Sequence, residues 1–159
     1  MSYGMHIKKG IAAGGFGLQM PDGTIVPFVT EEGIMPITNN VARVILEDDD
    51  GDGGVFAWEN PIDADLIIKR VMIHITEESD NASTIDVGTA ADATTSSDNL
   101  LDGLDTGAAE GIFDNIDDQG TNGESVQVLE EGEFITATQA SGDVSDLEGV
   151  AYIEFVVID

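Results

Sequence analysis

The sequence predicts an all-β protein: an antiparallel β-sandwich, jelly-roll-like, with an extended N-terminal arm. Three observations carry this. The apolar runs are short, rich in β-branched residues and alternate with period two, most clearly in Leu66-Ile-Ile-Lys-Arg-Val-Met-Ile-His-Ile-Thr76. Clusters of Gly, Asp, Asn and Ser separate the runs at spacings suited to turns. No stretch sustains a helical period. A chain of 159 residues with 42% apolar content is long enough for one domain with a buried core.

Residues 1–40 read as the arm. They hold Pro21, Pro27 and Pro36 and the glycine-rich run Gly10 to Gly17, which suit extended backbone with short strands such as Thr24 to Val29. Residues 41–159 read as the sandwich. Val41 to Leu46 is a strand, Glu47 to Gly54 an acidic loop, and Val55 to Glu59 a strand closed by Asn60-Pro61. Leu66 to Thr76 and Ser83 to Gly88 then form a hairpin-like unit, with Ile67, Lys69, Val71, Ile73 and Ile75 on the buried face.

Ser96 to Leu104 is either one helical turn or a loop that carries Leu100, Leu101 and Leu104 into the core. Gly107 to Asn122 reads as loop, pinned by Ile112, Phe113 and Ile116. Three strands close the chain: Ser125 to Leu129, Glu133 to Ala140, and Val150 to Ile158. In the last, Ala151, Ile153, Phe155 and Val157 share one face.

The charge is lopsided. There are 32 acidic residues against 5 Lys and Arg, a net −27. The charged fraction of 23% is ordinary, so the basic residues are what is missing. Self-repulsion on this scale disfavours a compact state at low salt, and molar salt screens it to about 3 Å. The composition therefore points to a protein that works in concentrated salt, from a halophile or its virus. It disfavours nucleic acid as a partner, because phosphate recognition needs a basic patch. No apolar run reaches the roughly 20 residues that span a bilayer, and Met1 to His6 has no signal-peptide core, so neither a membrane nor a secretory leader is expected. Cysteine is absent, which excludes disulfides and thiol chemistry.

One motif suggests a metal. Asp48-x-Asp50-x-Asp52-Gly53, then five residues and Glu59, fits a calcium loop, with Val55 at the hydrophobic position. The β-branched flank before it and Pro61 after it do not suit a helix–loop–helix, so a solvated acidic hairpin loop is the competing reading. Asp48, Asp50 and Asp52 are the candidate calcium ligands; no other cofactor is expected. His6 and His74 stand apart from any metal-binding partner, with His74 at a sheet face. Trp58 reads as packing. No catalytic set is assigned, and an enzyme is not expected.

Asn60-Pro61, the run Ile85 to Asp105, Gly111-Ile-Phe-Asp-Asn115 and Ala151-Tyr-Ile-Glu154 resemble small head or tail structural proteins of tailed double-stranded DNA viruses. The likeness spans Trp58 to Val157. It implies a β-sandwich located in the virion, a homotrimer that decorates the capsid and binds the major capsid protein. Such proteins usually carry more Lys and Arg in the later loops, where this chain has Glu124, Glu130, Glu131 and Glu133. With the charge argument, this departure implies a halophilic host. The alternative function is a receptor- or glycan-binding module of a tail or turret.

Overall fold

The structure, a computed structural model, describes residues 17–19, 25–27, 40–47, 54–108 and 110–158. The chain divides into two units, Met1–Thr38 and Asn39–Asp159. In the first, β1 (Gly17–Gln19) pairs antiparallel with β2 (Ile25–Pro27). The rest of the region read as an arm lies outside the described residues.

The second unit is an antiparallel β-sandwich. One sheet has the order β3-β11-β5-β8, from β3 (Asn40–Leu46), β11 (Glu148–Val157), β5 (Leu66–Glu77) and β8 (Gly111–Asp114); β9 (Gln127–Leu129) also pairs with β5. The other has the order β4-β10-β6-β7, from β4 (Phe56–Glu59), β10 (Phe134–Ser141), β6 (Thr84–Ala90) and β7 (Leu101–Asp105). The pairings nest about the β6–β7 connection: β5 with β8 and β9, β4 with β10, β3 with β11. The β11–β5 and β10–β6 ladders then close each sheet. Inward rows of both sheets meet in one core that includes Leu66, Ile68, Ile73, Ile85, Leu101, Ile135, Ala151 and Ile153.

The face predicted for β5 holds only in part. Val71, Ile73 and Ile75 are buried, but Leu66 and Ile68 face the core in place of Ile67 and Lys69. The cause is a bulge. Partners run Glu154↔Arg70 and then Phe155↔Ile68, which leaves Lys69 unpaired. One extra residue moves everything beyond it to the opposite face.

The predicted hairpin of β5 with β6 does not form, since the two strands lie in different sheets. The connection between them turns the chain across the sandwich around a buried hydroxyl cluster. Ser83 Oγ lies 2.6 Å from both Ser79 Oγ and Thr106 Oγ1.

Leu101 to Asp105 is a strand rather than a helical turn. Leu101 and Leu104 both point inward because β7 carries an extra residue: Ile85↔Leu104 is followed by Val87↔Leu101. Gly103, at φ 74°, takes the left-handed conformation that this bulge needs. Gly111 to Asp114, read as loop, is also a strand. There Phe113 packs on the core, while Ile112 and Ile116 are exposed.

Candidate functional site

Asp48, Asp50 and Asp52 lie outside the described residues. Their loop leaves β3 and returns to β4 through a neck closed by Glu47 N–H donating to Val55 O at 2.9 Å. Glu59, at the far end of β4, is paired across to Phe134. No group of three or more His, Asp or Glu side chains able to hold a metal occurs among the described residues. Trp58 packs against the core and stacks near Phe155 at 5.4 Å between ring centroids.

The structure instead brings out a surface, the outer face of the β3-β11-β5-β8 sheet. The ladder registers set its side chains in rows. Ile45, Val150, His74 and Ile112 form the first. Arg43, Tyr152, Met72 and Asp114 form the second. Val41, Glu154 and Arg70 form the third, with Lys69 at the bulge beside them. Val156, Ile67 and Val128 form the fourth. Isolated exposed hydrophobics are ordinary, but a contiguous set marks a contact surface. Ile112 is 66% and Ile45 57% exposed.

The charge on this face is as unusual as its apolarity. Within residues 39–159 the only Lys and Arg are Arg43, Lys69 and Arg70, and all three are here. Lys69 Nζ pairs with Glu154 Oε1 at 2.7 Å. Arg70 Nε donates to Asp114 Oδ2 at 3.0 Å, and a second guanidinium N–H reaches the same oxygen. Arg43 has no carboxylate partner among the described residues.

Burial pushes the Asp114 carboxyl up. Arg70 and the N–H groups of Ile116 and Asp117 outweigh that and hold it below the usual carboxylate range. The pairing with Asp114 in turn raises Arg70.

The other sheet is dressed differently. Residues 91–99 run over its outer side and bond to it: Thr136 Oγ1 donates to Thr95 O at 2.9 Å, Ser96 Oγ and Thr138 Oγ1 are 2.7 Å apart, and Asn99 Nδ2 donates to Thr89 Oγ1 at 2.8 Å. Thr136 is fully buried as a result. Gly88 permits this cover, since a Cβ there would collide with Ser97 and Asn99. One outer face is thus closed by polar groups from its own chain, while the other presents apolar rows and every cation of the body.

A cavity of about 310 Å³ between β7 and β8 is lined by Asp102, Asp105, Asp117 and Asp118 around Leu104 and Phe113. Several of these carboxylates are already held by backbone N–H groups: Asp102 by Asn122, Asp105 by Gly107 and Asp118 by Asp114.

Sequence reasoning missed the face, although β11 carried a signal. Val150, Tyr152 and Val156 alternate with Ala151 and Ile153, so both sides of the strand are largely apolar. A strand apolar on both sides is covered on both.

Comparison with protein-family models, with curated proteins and with solved structures gives no match.

Proposed function

We propose that the chain is a virion structural protein, a capsid decoration protein that adds contacts to the head shell in concentrated salt. The observation that carries this reading is the outer face of the β3-β11-β5-β8 sheet, apolar and locally cationic on a body otherwise acidic. At molar salt, long-range attraction between charges is screened within about 3 Å. Contacts that survive there bury apolar surface or form backbone pairs, and the four rows supply the first. The strand order, nested about the β6–β7 connection, supports the jelly-roll reading, a build that presents broad sheet faces to neighbours. The partners in this proposal are the major capsid protein and further copies of the chain, assembled as a trimer. Fold alone does not fix the role, so the weight rests on the face.

The test is the location and number of copies on the particle. Virions imaged with this chain labelled are expected to carry it across the whole head. A few copies at a tail tip or turret would instead support the receptor-binding alternative.

A further inference from the structure

We propose that the outer face of the β3-β11-β5-β8 sheet docks onto the acidic surface of a second copy of this chain, head to tail rather than face to face. The inference rests on the reading of the protein as an assembly module and names the partner of that face.

Charge complementarity around an apolar centre selects the partner, because charges buried within a contact are screened far less than exposed ones. Residues 39–159 carry 29 of the 32 acidic side chains, the exceptions being Asp22, Glu31 and Glu32. Two of those 29, Asp114 and Glu154, lie on the face and are already paired with Arg70 and Lys69. The rest of the body has no further Lys or Arg. A second copy therefore offers an acidic surface wherever it is approached away from this face, and it is present at the same concentration as the first.

Face-to-face packing closes the Arg43 of both copies into one contact whose face carboxylates, Asp114 and Glu154, are already paired with Arg70 and Lys69, so neither Arg43 gains a partner. Like charges at an interface cost several kcal/mol, and they act mainly to veto wrong pairings. Head-to-tail packing meets no such veto. It sets Arg43, which has no carboxylate partner among the described residues, against acids of the neighbour. Arg and Tyr are residue types that anchor interfaces when ringed by apolar groups. Arg43 and Tyr152 are cross-strand neighbours between the Ile45–Val150 and Val41–Glu154 pairs. A head-to-tail contact closes into a ring when its rotation allows, which is the route to a cyclic trimer.

The experiment uses the full chain in molar salt. Light scattering across a concentration series is expected to show a closed oligomer. The double variant Arg43→Glu/Ile112→Asp is expected to be monomeric, its dissociation constant raised by about thirtyfold or more. Both side chains are exposed, so the variant should fold, and circular dichroism checks this. The decisive arm is mixing. Immobilised wild-type protein should still capture the tagged double variant, whose acidic surface is intact.

An oligomer that excludes the variant from wild type would mean face-to-face packing and overturn the proposal. So would a double variant that associates like wild type. A wild-type chain that stays monomeric throughout would also overturn it, and would assign the face to a different protein. The decoration reading is then decided separately, by binding to particles.

Discussion

Asn115 is fully buried and polar, and its carboxamide ties three segments together. Val71 N–H donates to its Oδ1 at 2.7 Å, while its Nδ2 donates to Glu124 O at 3.1 Å and Ser125 O at 3.0 Å. Asn115→Ala strands the buried Val71 N–H, and that loss alone is expected to cost about 1–3 kcal/mol, read as a lower melting temperature. Asn60 plays the same part just after β4, bonding Ala64 O, Glu130 O and Ile62 N–H. Neither role was legible in the sequence, since the partners are backbone atoms, some of them dozens of residues away.

Two carboxylates give opposite pH signatures. Asp114 is held below its ordinary range when folded, so its stabilisation is present above that range and is lost as pH falls through the depressed value. Asp114→Asn should lower the melting temperature at neutral pH, with the gap narrowing in acid. Asp86 is raised, chiefly by burial, with Asp102 and Asp98 adding to it and the Gly103 N–H opposing. Its ionised form therefore disfavours folding, and falling pH relieves that. Asp86→Asn keeps an oxygen for Gly103 and should melt higher than wild type at neutral pH. Paired melts of both variants across pH check the two signs; a gap of the wrong sign in either would refute its assignment.

At the scale of the element, most strands were legible, β7 and β8 were not, and the faces were legible only in part. Period-two alternation located β3, β4, β5, β10 and β11 to within a few residues. It failed wherever a bulge broke the period. Lys69 reverses the phase of β5, and the bulge at Gly103 makes the Leu101–Leu104 spacing look helical. A bulge depends on the partner strand, which a single run of sequence does not reveal. Deleting Lys69 removes the extra residue and should leave a strictly alternating strand with Leu66 and Ile68 still inward, so circular dichroism is expected to show a folded variant that has lost the Lys69–Glu154 pair. A deletion variant that unfolds would contradict Lys69 as the extra residue of the bulge. Gly88→Val probes the opposite sheet. The new side chain must displace Ser97 and Asn99, so faster hydrogen exchange is expected at Thr89, whose N–H donates to Asn99 Oδ1 at 2.9 Å.

For the whole molecule, charge decides the conditions under which the fold persists. A net −27 on 159 residues should make the melting temperature climb with sodium chloride into the molar range. A melt that is flat in salt would count against the halophilic reading. Composition made this expectation legible, yet it hid the distribution of charge. Arg43 is far in sequence from Lys69 and Arg70 and joins them only because β3, β11 and β5 are neighbours in one sheet.

This face holds the protein to its assembly in the reading proposed above, and co-sedimentation with particles tests that most directly. Undecorated particles are mixed in molar salt with wild type, with Ile45→Asp/Ile112→Asp, or with Ile62→Asp, an exposed apolar residue outside the four rows. They are then pelleted and the bound protein is measured. Wild type and Ile62→Asp should co-sediment, and the double variant should stay in solution. Equal co-sedimentation of all three would contradict the account.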